Sequence, residues 1–121
     1  MIRSFRDLKV YQKAYILSLE LHRLSLGFPD FEKYELASQL RRASKSVCFN
    51  IAEGNSRKDS LADFKRFLTI ALGSNDEARS QLDYCKDLGY ISPEQYQKYE
   101  SESVEIAKLL SYMLKNWKTN H

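Results

Sequence analysis

The sequence predicts an all-α protein, an antiparallel up-down-up-down four-helix bundle spanning residues 1–121 as one domain. Three observations point there. Apolar residues recur at alternating intervals of three and four along four separate stretches, the spacing of a bundle seam. Only 4 Gly and 2 Pro occur, so tight hairpins between strands are scarce. The links between the stretches are short, which makes consecutive helices antiparallel neighbours. No strand pattern, repeat or low-complexity segment interrupts this reading.

The elements follow in order. Residues 1–6 read as an extended lead-in, with Phe5 placed to staple onto the first helix and Asp7 as its N-cap. That helix covers about 8–26, and Val10, Ala14, Leu17, Leu21, Leu24 and Phe28 form its seam; Gly27 and Pro29 end it. The second helix covers about 33–55, with a seam of Leu36, Leu40, Ala43, Val47 and Ile51 and a stop at Gly54-Asn55-Ser56. The third covers about 61–88. Ser60 and Asp63 open it, Gly89 closes it, and Phe64, Leu68, Ala71, Asn75, Ala78, Leu82 and Cys85 share one face. Gly73 in its middle suggests close approach of another backbone. The fourth covers about 93–117 and has the clearest start, Ser92-Pro93-Glu94-Gln95. Its seam is Tyr96, Tyr99, Ser103, Ile106, Leu110, Met113 and Trp117, and residues 118–121 are expected to fray.

Composition bounds the function. Hydrophobic residues are 43% of the chain, which argues against disorder, and the net charge is +3, from 19 basic and 16 acidic side chains. This balance permits nucleic-acid binding without demanding it. No apolar run approaches the roughly 20 residues that span a bilayer. The first residues lack the apolar core of a signal peptide, so a cytoplasmic location is expected. Cys48 and Cys85 belong to no Cys-x-x-Cys pair and read as small buried thiols.

The second helix carries a further stripe beside its apolar one. Gln39, Arg42, Ser46, Asn50 and Glu53 are all polar and recur at the same spacing. Pairing helices two and three so that facing residues sum to 119 sets Arg42 against Glu77 and Glu53 against Arg66. It also sets Ser46 against Gly73, next to Ser74, Asn50 against Thr69, and Gln39 against Ser80. These residues are therefore expected to form a buried network between the helices. Breaking a buried ion pair there would cost about 3–5 kcal/mol. The same register separates Cys48 from Cys85 by about 21 Å along the helix and excludes a disulfide.

Several of these residues also carry a resemblance. They are Phe5-Arg6-Asp7-Leu8, Ala14, Phe28-Pro29, Glu32, Gln39-Leu40-Arg41-Arg42-Ala43, Ser46 and Asn50-Ile51-Ala52-Glu53-Gly54. Further on come Phe64, Phe67, Ala71, Gly73-Ser74, Glu77 and Leu88-Gly89-Tyr90-Ile91. In order and over nearly the whole chain, they resemble the ribosomal-protein-like bundles encoded in intervening sequences of bacterial large-subunit ribosomal RNA genes. A more distant likeness is to the accessory variability protein of diversity-generating retroelements. Glu35 departs from the pattern, since many relatives carry Gly before the Leu. The resemblance implies a cytoplasmic, non-enzymatic homopentamer associated with ribosomal RNA or another nucleic acid.

Candidate nucleic-acid contacts are Arg41, Lys45, Arg57, Lys58 and Lys65 around the corner between helices two and three, with Arg3, Arg6, Lys9 and Lys13 at the start of the first helix. Arg41 and Lys45 flank the polar stripe and are the stronger two. Acidic residues such as Asp59, Asp63 and Asp76 are interspersed, and no RNA-reading motif is present. The competing expectation is a structural or partner-binding homo-oligomer without a nucleic-acid role, its eight Tyr and one Trp serving as interface, core and rim. An enzyme is not expected. There are two His, no Glu-x-x-His, no Gly-rich phosphate loop and no nucleophile set at workable spacing, so neither metal nor cofactor is anticipated.

Overall fold

The computed structural model describes residues 2–117, and the expectation of a frayed tail at 118–121 lies outside them. Four helices are present: α1 (Lys9–Ser25), α2 (Leu36–Ser56), α3 (Leu61–Asp87) and α4 (Pro93–Asn116). No strand occurs among the described residues. Each helix packs on its sequence neighbour and α4 returns to α1, while the backbones of the diagonal pairs α1/α3 and α2/α4 do not approach closely. This is the antiparallel four-helix bundle that the seams predicted.

The seams fill the core. All five apolar-stripe residues of α2 and all seven of the α3 face are buried, as are Val10, Ala14, Leu17 and Leu21 of α1. From α4 come Tyr99, Ser103, Ile106 and Leu110, and Trp117 stacks on Phe64 at 4.5 Å between ring centroids. Cys48 and Cys85 are buried and free. Burial pushes the Cys48 thiol up to about 11 and the Cys85 thiol up to about 12. Asn75, buried within α3, donates to the Ser103 carbonyl at 2.9 Å and joins α3 to α4. A bidentate pair between Arg79 and Glu100, 2.7 Å at its shortest, reinforces that seam nearer the surface.

The ends of the helices differ from expectation in three places. Asp7 does not cap α1. A short 3₁₀ turn, Phe5–Asp7, precedes the helix; Ser4 caps that turn, and Asp7 closes its capping box by accepting from the Ser4 amide at 3.1 Å. Leu8 then occupies the α1 N-cap with no side-chain bond. Phe5 does staple the entry, packing edge-on against Tyr11 at 4.8 Å.

The second difference is the start of α2, three residues late, because Asp30–Glu32 forms a 3₁₀ turn. Glu32 is the reason. Its carboxylate is buried, accepts from the Tyr90 hydroxyl at 2.8 Å and lies 3.5 Å from the Leu36 amide. A carboxylate at a helix N-terminus is favoured by the unpaired amides there. The link after α3 meets it: Gly89 takes φ +79°, and the Tyr90 amide bonds back to the Cys85 carbonyl at 2.8 Å. Phe28 packs on the Tyr90 ring at 5.2 Å. The α1–α2 and α3–α4 connections are thus tied together at one end of the bundle.

The third difference concerns glycine. α2 ends at Ser56, the last residue of the expected Gly54-Asn55-Ser56 stop, but Gly54 itself has a second part. It is buried, and a Cβ there would come within 3.2 Å of the Phe67 Cβ and 3.4 Å of the Phe64 carbonyl oxygen. Gly54 is where α2 and α3 approach closely. At Gly73, where that approach was expected, a Cβ would meet nothing within 4 Å.

Candidate nucleic-acid interface

The polar stripe of α2 lies along the outside of its seam with α3 and is not a buried network. Its middle holds together as hydrogen bonds. The hydroxyls of Ser46 and Ser74 lie 2.9 Å apart, and the Asn50 amide donates to the Ser46 carbonyl at 2.8 Å and to its hydroxyl at 3.1 Å. The register is therefore one residue from the expected one, pairing Ser46 with Ser74 instead of Gly73. The two expected cross-helix ion pairs do not form. Glu53 pairs with Arg57 on its own helix at 3.1 Å, and Arg66 with Asp63 at 3.6 Å. Arg42 and Glu77 are exposed and make no ion pair with any described residue. The reason is local. A partner one turn away keeps both groups in water, whereas a cross-helix pair must desolvate them and hold two long side chains still.

What results is an open groove between α2 and α3. Gln39, Arg42, Ala43, Ser46 and Glu77 line a depression of about 480 Å³. It continues toward the Glu32 end as one of about 610 Å³ beside Ser80, Tyr84 and Leu88. Gln81, buried along this stretch, keeps its Oε1 without a donor among the described residues. Tyr84 and Leu88 are exposed.

The basic candidates separate into two groups. Arg41 donates to the Ser25 hydroxyl at 2.9 Å and to the Lys33 carbonyl at 3.2 Å, clamping the α1–α2 connection. The Lys45 ammonium lies 2.9 Å from Nδ1 of His22, and desolvation followed by this charge lowers the His22 pKa. Arg57 is held by Glu53 and lies over the Phe67 ring at 5.4 Å. These three cations serve the fold. Lys58, in the α2–α3 turn, and Lys65, on α3, make no ion pair with any described residue. Five candidates chosen along one corner are therefore not one patch. Lys108 and Lys115 of α4, also without an ion pair to a described residue, were overlooked. The available signal was the stretch 106–117, which has two Lys and no acid.

Comparison with known proteins agrees with this fold. A family model described as "23S rRNA-intervening sequence protein" matches residues 6–112. The chain is also similar to the crystal structure of a protein with unknown function from the S23 ribosomal protein family of Bacteroides thetaiotaomicron VPI-5482. The two share 30% identity over 88% of this chain and 96% of that one, with a TM-score of 0.81. No curated protein matches the chain. With a bundle of the same topology and a match that spans all four helices, the chain belongs to the 23S rRNA-intervening sequence protein family.

Proposed function

We propose that this protein is a non-enzymatic, cytoplasmic bundle that assembles as a homopentamer and associates with ribosomal RNA. The family description supports the RNA partner. Lys58 and Lys65, cations without an ion pair to a described residue, supply charge for phosphate contacts. The observation that carries self-association is the α2/α3 groove. Arg42 and Glu77 stand exposed in it with no ion pair to a described residue, beside a buried Gln81 oxygen that has no donor among the described residues. A helix pair that leaves such groups open has the chemistry of a surface completed by another subunit. Helix propensity adds to this reading, because Gly73 weakens α3 by about 1 kcal/mol relative to Ala with no packing gain inside the chain.

The test is a filter-binding titration against structured fragments of large-subunit ribosomal RNA over a salt series, alongside native mass spectrometry. Expected are a pentamer and an affinity that falls steeply as salt rises. No binding at low salt overturns the nucleic-acid reading and leaves a structural homo-oligomer; a clean monomer overturns the assembly.

A further inference from the structure

Two stretches without a carboxylate lie side by side in this bundle. Residues 64–75 of α3 and 106–117 of α4 contain four cations, Lys65, Arg66, Lys108 and Lys115, and no Asp or Glu. Their alignment follows from three observed contacts: Phe64 with Trp117, Asn75 with Ser103 and Arg79 with Glu100. That register sets Lys65 level with Lys115 on the neighbouring helix. Lys65 also lies two heptads before Arg79, on the α3 stripe that faces α4.

The charge on this face is not cancelled from its edges. Asp76 and Glu100 are both held by Arg79, Glu105 by Lys13 on the α1 side at 2.8 Å, and Asp63 by Arg66. Lys65, Lys108 and Lys115 make no ion pair with any described residue. Along α4, with Arg79 of α3 at its near end, runs a groove of about 600 Å³, lined otherwise by α4 residues that include Val104, Ala107, Lys108, Tyr112 and Lys115. Its walls are part apolar. Tyr112 stands at the edge with 67% of its surface exposed.

A polyanion with flat, apolar faces fits this combination, and the geometry points to single-stranded RNA as the occupant of the α3/α4 groove. Phosphates would lie along Lys108 and Lys115, which are separated by about 10 Å, or two helical turns, along α4, and against Lys65 level with Lys115 on α3. A base would stack on Tyr112, a contact that tolerates any base because each has a π-face. A duplex keeps its bases stacked on one another and offers that ring nothing. This assignment rests on the nucleic-acid reading above and gives it a surface and a strand state.

The experiment is fluorescence anisotropy on the intact protein, with a labelled single-stranded RNA, the matched duplex, and polyglutamate as competitor. The groove variant is Lys65→Gln/Lys108→Gln/Lys115→Gln. Its control, Arg23→Gln/Lys33→Gln/Lys86→Gln, removes the same charge from exposed positions outside the groove. Helical circular dichroism confirms that each variant folds. The groove variant is expected to bind single strands at least tenfold more weakly at low salt. The slope of log K against log salt should fall by about 2, near 0.7 for each lost phosphate contact. The control should stay within about threefold of the parent. Tyr112→Ala should lose roughly fivefold or more on the single strand and nothing on the duplex, while Tyr112→Phe keeps the parent affinity.

Unchanged binding by the groove variant, or an equal loss in the control, overturns the assignment while the RNA reading stands. A preference for duplex with Tyr112 silent overturns it in the same way. If polyglutamate displaces RNA at equal charge, the groove takes an acidic protein segment instead. No binding of any RNA by the intact protein removes both readings.

Discussion

Two glycines of the α2/α3 pair should respond to the same substitution with opposite sign. Gly73 is an interior position of a 27-residue helix, with no strained φ and no atom within 4 Å of the point where an added methyl would stand. Gly73→Ala therefore gains the helix propensity of Ala, about 0.5–1 kcal/mol, at no steric cost. For a chain of 121 residues that is a rise of about 2–4 °C in Tm. Gly54→Ala receives the same gain but places its Cβ 3.2 Å from the Phe67 Cβ. That atom is fixed to the α3 backbone, so the two helices must move apart by a few tenths of an ångström. Overpacking of this kind typically costs about 1–3 kcal/mol, so the net change is a loss of up to about 2 kcal/mol. Urea unfolding followed by helical circular dichroism, with all proteins at one low concentration, separates the pair by about 1–3 kcal/mol. A destabilising Gly73→Ala would refute the reasoning, because it would mean that the space beside Gly73 is filled in solution. A Gly54→Ala as stable as Gly73→Ala would refute the close approach of α2 and α3.

Three further outcomes follow from the geometry. In a double-mutant cycle on the unassociated chain, Arg42→Ala and Glu77→Ala should couple by less than about 0.5 kcal/mol, since both groups remain hydrated; coupling above about 1 kcal/mol would show a closed pair. Tyr96 donates to Asp83 at 2.7 Å, and that bond holds the phenol up at about 12 against an ordinary 10.0. The folded state thus binds the phenolic proton more tightly than the unfolded one. Its contribution is complete below about pH 10 and disappears as pH rises toward 12, so Tyr96→Phe should lose less stability than the parent across that window in urea titrations. Equal alkaline slopes for the two proteins would remove the hydrogen bond as their cause. Finally, Cys48 and Cys85 should resist iodoacetamide at mildly alkaline pH until the protein unfolds, because a thiol held near 11 or 12 is almost wholly protonated and both are buried. Rapid labelling of either in the native protein would contradict this.

The fold was legible because helical periodicity depends on which residues are apolar, and the seams of α1 to α4 are long and regular. The Ser92 capping box and the Gly89 stop were legible for a similar reason: both are local motifs whose bonds close within a few residues. What escaped was the detail of where distant segments meet. Glu32 delays α2 only because Tyr90, 58 residues away, shares its carboxylate. Arg41 is consumed by Ser25 and the Lys33 carbonyl, a destination that requires knowing where α1 ends. The close approach fell at Gly54 instead of Gly73 because one residue along a helix is a turn of about 100°, enough to move a position from the seam to the outside. The ion pairs failed for a different reason. Opposite charges at facing positions suggest a bridge, but long side chains choose partners by hydration and entropy, and Arg57 and Asp63 were one turn away.

The knot that joins Glu32 to Tyr90 also decides how the molecule yields to force. It fastens the two helical hairpins at the end where α1 runs out and α4 sets in, whereas α1 begins and α4 finishes at the far end. Handles attached there would pull α1 and α4 apart sideways, loading one contact after another as in opening a zipper. The α1–α4 seam is the sparsest of the four, and its ion pairs, Lys13 with Glu105 and Lys98 with Glu20, are solvent-facing. Rupture should therefore begin at low force and run toward the knot, where the buried carboxylate is the last tie to give.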